Sequence, residues 1–305
     1  MRPSAWLSSG GTPLAWGSSD GSVDRRHERR ATLVLFLILF ACSAYFLPRW
    51  ADWNQNSRLD QVMAIVDRGV LYIDDYYANT GDYAHFEGHY YSDKAPGVAF
   101  LGVPVYAALR AVVPPALVER LSARLASNPA IVDTLRAEGT GLLHDKVYAA
   151  LALYALTVVT VALPSALGAV ALYYLAGRLL RSPVARVELG LAYGLATVAF
   201  PYSQAFMGHQ LATACAVGAL ALTALAESPR TLARRAPLVG LLLGCGLITE
   251  YPALFVLAPV GVYALWRLRV APRAAAPLLA AAALPVAGAA LYNWAIYHTP
   301  FPVAY

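Results

Sequence analysis

Val98-Ala99-Phe100-Leu101-Gly102-Val103-Pro104-Val105-Tyr106-Ala107-Ala108-Leu109-Arg110-Ala111-Val112-Val113, running into Pro114-Pro115, is the stretch on which the fold turns. It is apolar, yet it carries Arg110 and stops at two prolines. Counting it as a membrane span inverts the side of every later connection and puts the arginine clusters outside, against the tendency of Lys and Arg to stay cytoplasmic. Reading it as an interfacial or re-entrant helix removes the conflict. The basic groups then fall on alternate connections: residues 25–30, then Arg178, Arg181 and Arg186, then Arg230, Arg234 and Arg235, then Arg267, Arg269 and Arg273. The opposite connections, over 204–210, at Glu250-Tyr251 and over 297–305, contain neither Lys nor Arg.

Working outward, 305 residues that are 59% hydrophobic and 13% charged, with several apolar runs of membrane-crossing length, describe an all-α polytopic membrane protein. Seven spans are expected, over 31–48, 147–176, 187–204, 211–226, 237–249, 252–266 and 274–294, with a kink at Pro164. The runs on either side of Glu250-Tyr251-Pro252 are short, which predicts a tight hairpin or one broken helix lining a cavity. Residues 1–30 mix Gly, Ser and Pro with a charged run and read as a disordered cytoplasmic tail before a module over 31–305. The run 31–48 lies too far from the start for a signal peptide and reads as an uncleaved anchor. Cys42, Cys215 and Cys245 sit in apolar runs, without disulfide or metal spacing. The formal charge of +5 is explained by topology, so nucleic acid is set aside as a partner.

One large loop, 49–146, remains on the outer side. It holds nine Lys or Arg and twelve of the eighteen acids, and His85, His89, His144, His209 and His298 reach the same side. A polar chamber facing outward follows. Each feature in it has a plain reading and a functional one. Asp93 and Lys94 form either a solvated pair capping the helix after Ala95 or a reactive pair. Asp74 and Asp75 cap a turn before Tyr76 or contact substrate. Asp60 and Asp67, seven apart, form the wet face of an amphipathic helix or bear on chemistry. His85-x-Glu87-x-His89 lacks strict metal spacing and reads as a loop without metal. Tyr72, Tyr76, Tyr77, Tyr83, Phe86, Tyr90 and Tyr91 suit either sugar stacking or an interfacial belt. Glu250 and His209 at outer span ends are functional candidates or a structural pair. Gly190-x-x-x-Gly194 and Gly240-x-x-x-Gly244 mark close helix contacts.

The residues then carry a resemblance. Ser57-Arg58-Leu59-Asp60 leads to Gly69, Ile73-Asp74-Asp75 and Asp93-Lys94-Ala95-Pro96; Leu163-Pro164-Ser165-Ala166-Leu167-Gly168 and Leu247-Ile248-Thr249-Glu250-Tyr251-Pro252 follow. This pattern resembles the GT-C superfamily of membrane glycosyltransferases, in the bacterial branch with protein O-mannosyltransferases and lipid A aminoarabinose transferases, over about 54–252. The chain departs from it at Asn54-Gln55, where an acidic pair is expected, and at Ala95, where the motif has proline. It ends at Tyr305, which reads as a truncated or minimal member.

The resemblance implies transfer of a sugar from a polyprenyl-phosphate donor to a hydroxyl of a lipid, glycan or protein acceptor, with inversion, at the outer face of a bacterial inner membrane. A carboxylate takes the acceptor proton, with Asp60, Asp75 and Asp93 as candidates. Lys94 and Arg58 are the candidate cations for the leaving phosphate. Asp74, Asp82, Tyr90, Tyr91, His209 and Glu250 are candidate substrate contacts. No cofactor is assigned, and a divalent metal stays open. Two other classes fit the same membrane architecture: a transporter or flippase of lipid-linked or small polar substrates, which predicts charges deep in several spans, and a catalytically inactive accessory subunit, supported by Asn54-Gln55.

Overall fold

The computed structural model of the chain describes residues 25–48, 52–133 and 144–302. The expected tail over 1–24 lies outside the described residues. Residues 25–30 do not belong to a tail, because helix α1 (Arg25–Tyr45) starts there. Glu28 sits in the first turn, where the helix dipole favours an acid, and Arg186 Nη1 lies 3.3 Å from it.

The loop is more structured over its described residues 52–133 than its polarity suggests. Asp52 caps α2 (Trp53–Met63), accepting from the amides of Asn54 and Gln55. A π-helical turn, Ala64–Arg68, closes on Gly69, whose φ of 69° suits glycine. Strands β1 (Tyr83–Phe86) and β2 (His89–Ser92) form an antiparallel hairpin with Phe86 opposite His89. Glu87 and Gly88 have φ of 48° and 85°, so the two-residue turn takes positive φ at both positions, as tight hairpins require.

The stretch quoted at the outset becomes α3 (Gly97–Val112), which turns by 89° at Pro114-Pro115 into α4 (Pro115–Ala126). At 16 residues α3 is about 24 Å long, short of a hydrocarbon core of about 30 Å. Then come α5 (Pro129–Val132), α6 (His144–Thr157) and α7 (Leu163–Ala176), the last two joined by a π-turn at Val158–Ala162. Pro164 has no N–H, and its ring crowds the preceding turn; the helix answers by widening there rather than stopping. Helices α8 (Pro183–Leu195), α9 (Ala199–Ser203), α10 (Gly208–Ala224), α11 (Pro229–Thr249), α12 (Leu254–Arg267) and α13 (Ala275–Tyr297) complete the chain.

Four helical stretches among the described residues are long and apolar enough to cross a membrane: Asp145–Ala176, Pro229–Thr249, Tyr251–Val270 and Pro272–Tyr297. Their outward side is oily, with Phe255, Leu284 and Leu291 exposed. The other expected spans fall short by length or charge. Residues 31–45 lie in α1 behind five charged residues in its first six; 187–204 breaks into α8 and α9; and α10 has 17 residues. The runs flanking Glu250 are longer than the sequence pattern implied. Helix α11 reaches back through Arg234 and Arg235 to Pro229, since arginine stems can lie along apolar helix ends while their heads stay wet.

Glycines set the closest helix contacts. A Cβ on Gly240 or Gly244 would fall on the backbone of α13 at Leu278 or Ala282, and one on Gly190 or Gly194 would meet Leu35 or Leu39 of α1. These are the small-residue seams of a membrane bundle. The bundle therefore has two chemically different ends. Helix α10, about 26 Å long, runs from Gly208, packed against Glu250, to Ala224, whose carbonyl accepts from Arg178. Glu250, His209 and Tyr297 lie at one end, and Arg178, Arg235 and Arg267 cap α10 at the other.

Candidate functional site

The site is built on α2, a helix that buries polar groups on nearly every side. Gln55, Asn56, Ser57, Arg58, Asp60 and Gln61 are all buried. Burying such groups is tolerable only where partners meet them. Gln55 Oε1 accepts from the Phe206 amide at 2.8 Å, and Asn56 Nδ2 donates to Asn79 O at 2.8 Å. Ser57 Oγ lies 2.8 Å from Ser92 Oγ, which ties α2 to the end of β2 just ahead of Asp93-Lys94. Arg58 Nη2 donates to Glu250 Oε1 at 3.0 Å, and its Nη1 reaches Asn54.

Glu250 sits in the break between α11 and α12. Its carboxylate meets Arg58 on one side and His209 Nδ1 on another, at 3.4 Å. Gly208 lets it come this close, because a side chain there would collide with the carboxylate. The Arg58 side chain is 1% exposed and that of Glu250 10%, whereas His209 is 44% exposed and stands edge-on to Tyr202. A buried ion pair is thus connected to solvent through one imidazole.

Lys94 forms a second centre beside it. Its Nζ is 2.9 Å from Asp82 Oδ2 and 3.0 Å from Asp93 Oδ1, the latter an electrostatic contact rather than an aligned hydrogen bond. All three side chains are partly exposed. Gly97, three residues beyond Lys94, packs directly on Ile248 and Thr249 of α11, which leaves no room for a Cβ. That contact and the Ser57–Ser92 bond bring the two centres onto one end of the bundle. A pocket lined by Ser92, Asp93, Lys94, Tyr251, Asn293 and Tyr297 lies between the loop and α13.

Other expected residues have local duties. Asp74 accepts from the Tyr90 amide and His89 Nδ1, both at 2.7 Å. Partial burial works against its charge, but the Tyr90 amide and His89 outweigh it and hold the carboxyl below its usual range. Asp75 pairs with Arg68 Nε at 3.0 Å in solvent. Tyr90 stacks on Tyr77 with ring centroids 4.0 Å apart, and Tyr91 packs against Tyr292, Ile296 and Tyr297. His85 and His89 stand on opposite strands of the hairpin, with Glu87 in the turn between them.

Asp60 is fully buried, and burial pushes its carboxyl up to about 8 although Asn79 Nδ2 donates to Oδ1 at 3.0 Å. A carboxyl held mostly neutral near pH 7 has only a minor ionised fraction available there to accept a proton. Among the described residues no three His, Cys, Asp or Glu side chains gather as a metal centre needs, and Asp82 and Asp93 share Lys94 instead.

Several site residues escaped the sequence reading. Asn56 and Gln61 went unnamed on a helix whose Asp60 and Asp67 suit a wet face, while Gln55 and Ser57 entered only as parts of the compared pattern. Asn293, which hydrogen-bonds Tyr251, carried a readable signal: a lone amide inside an apolar run. No family model, no curated protein and no solved structure matches the chain.

Proposed function

We propose that the chain is a GT-C-like glycosyltransferase that moves a sugar from a polyprenyl-phosphate donor to an acceptor hydroxyl at the outer face of a bacterial inner membrane. One observation carries the reading: Lys94 with Asp82 and Asp93, and Glu250 with Arg58 and His209, gather at the end of the bundle away from Arg178, Arg235 and Arg267. A lipid phosphate needs a cation, and a hydroxyl nucleophile needs a base; this end supplies both at the level where a span meets water.

In this reading Asp93 takes the acceptor proton as the acceptor oxygen attacks the anomeric carbon. The bond from that carbon to the donor phosphate oxygen breaks with inversion, and the phosphate leaves as an anion matched by Lys94. Arg58 is already matched by Glu250 and acts by holding α2 and the break before α12 in register. The membrane topology belongs to the same proposal. Helices α1, α8 with α9, and α10 complete seven crossings, the arginine-bearing end faces the cytoplasm together with the N-terminus, and 49–146 lies outside.

The test is reconstitution of the full-length protein with polyprenyl-phosphate sugars and lipid, glycan or peptide acceptors. Asp93→Asn is expected to slow transfer about 10²–10⁴-fold and Lys94→Ala about 10²–10³-fold, with Asp60→Asn much milder. Transfer undiminished in both Asp93→Asn and Lys94→Ala sinks the site. A substrate that crosses the bilayer with no donor consumed favours a transporter instead. Protection of a cysteine at position 82 from a membrane-impermeant reagent added outside intact cells overturns the sidedness.

A further inference from the structure

At the opposite end of the bundle, a cleft of about 570 Å³ opens between the ends of α7, α10 and α12, lined by Arg178, Ala224, Ala226, Glu227, Tyr263 and Arg267. Part of its chemistry is structural. The last carbonyls of a helix lack intrahelical donors, and arginines supply them here. Arg178 Nη2 donates to Ala224 O at 2.7 Å, Arg267 donates to Thr223 O, Ala226 O and the Tyr263 hydroxyl, and Arg235 Nη1 donates to Leu222 O.

Capping does not exhaust the two arginines that line the cleft. A guanidinium carries five N–H donors. Arg178 uses one and Arg267 uses three among the described residues, so six N–H groups remain on two charges sharing one cavity. Two guanidinium forks are the arrangement that tetrahedral oxyanions fit best. The cleft also lies where a headgroup would be. The stretch Asp145–Ala176 ends two residues before Arg178, and Tyr251–Val270 carries Tyr263, the exposed Trp266 and Arg267 near its end. Aromatic and basic residues at a span end mark the headgroup layer.

We propose that this cleft binds the phosphate of a phospholipid headgroup from the adjacent leaflet, held between Arg178 and Arg267. Glu227 on the same rim repels a second anion and pairs with a cation, so the matching headgroup carries an ammonium beside its phosphate. The proposal stands apart from the glycosyltransferase reading, because it concerns the other end of the molecule and needs no activity.

The experiment uses full-length protein in nanodiscs of defined composition, with lipid retention read by native mass spectrometry. Wild type is expected to retain phosphatidylethanolamine over both diacylglycerol and phosphatidylglycerol. Arg178→Gln is expected to weaken that retention about 10-fold, whereas Arg235→Gln, which caps α10 outside the cleft, leaves it unchanged. Glu227→Gln is expected to erase the preference for phosphatidylethanolamine over phosphatidylglycerol while retention of phosphate lipids persists. Equal retention by wild type and Arg178→Gln overturns the site, as does equal loss in Arg235→Gln, which would mean a general effect on α10. Displacement of the lipid by millimolar inorganic phosphate overturns the leaflet source in favour of a soluble phosphate.

Discussion

Glu250→Ala is expected to be among the most destabilising truncations in the chain, and the size follows from its partner. Arg58 Nη2 lies 3.0 Å from Glu250 Oε1, and at an effective dielectric near 20 that separation corresponds to an attraction of about 5 kcal/mol. Desolvation of both groups offsets much of this in the intact pair, but truncating the acid removes the opposite charge that offsets the cost of burying the cation. Asn54 still accepts from Arg58, which puts the expected loss at the lower end of the usual range for a broken buried pair, about 3 kcal/mol. Arg58→Met costs less, about 1–2 kcal/mol, because Glu250 keeps His209 at 3.4 Å. The double variant Arg58→Met/Glu250→Ala is expected to cost no more than Glu250→Ala alone. Reversible unfolding of the detergent-solubilised protein, followed by tryptophan fluorescence, measures all three. Losses that simply add to within about 0.5 kcal/mol would show that the two groups do not act as a pair and refute the reasoning.

Three further outcomes are expected. Asp60 has a folded carboxyl raised by burial to about 8, against 3.8 for the ordinary group, so between those values the folded chain binds the extra proton. Its contribution to stability is therefore complete below about pH 4 and lost as pH rises toward 8; denaturation midpoints at pH 5 and pH 8 should differ in wild type and converge in Asp60→Asn. Gly240→Ala should cost about 1–3 kcal/mol by forcing α11 off the Leu278 backbone, while Gly288→Ala, with nothing near its Cβ position, should be neutral in the same assay. Asp74→Asn removes the charge that His89 and the Tyr90 amide address, and faster hydrogen exchange at Tyr90 with unchanged exchange in α11 would register the loosened hairpin.

The fold was legible where hydrophobic length and arginine punctuation agree. Residues 147–176 and 274–294 read as spans and lie in continuous helical stretches, and the helix that carries Arg110 bends by 89° where Pro114-Pro115 signalled a stop. The length of α11 was not legible, because Arg234 and Arg235 look like a connection until their stems are seen along a helix. In the site, Arg58, Glu250, His209, Asp93 and Lys94 were all named from sequence, since charges beside apolar runs are rare enough to stand out. Their grouping was not legible: Arg58 and Glu250 are 192 positions apart, and no local pattern encodes that pairing. Asp75 and Asp74 were equally conspicuous, yet Asp75 pairs with Arg68 in solvent while Asp74 pins the hairpin at His89 and Tyr90, partners distant in sequence.

The polar burial of α2 has a consequence for synthesis. This segment emerges early, and although Asn79 and Ser92 follow soon after, Gln55 and Arg58 meet partners made much later, at Phe206 and Glu250. At about 5–20 residues per second, the 192 positions between Arg58 and Glu250 take the ribosome on the order of 10–40 s. During that interval a helix too hydrophilic to enter lipid and not yet sheltered by protein has to wait beside the membrane. Slowing translation between 206 and 250 would lengthen its exposure to proteases, and a protein whose final state is sound could still be lost while it is being made.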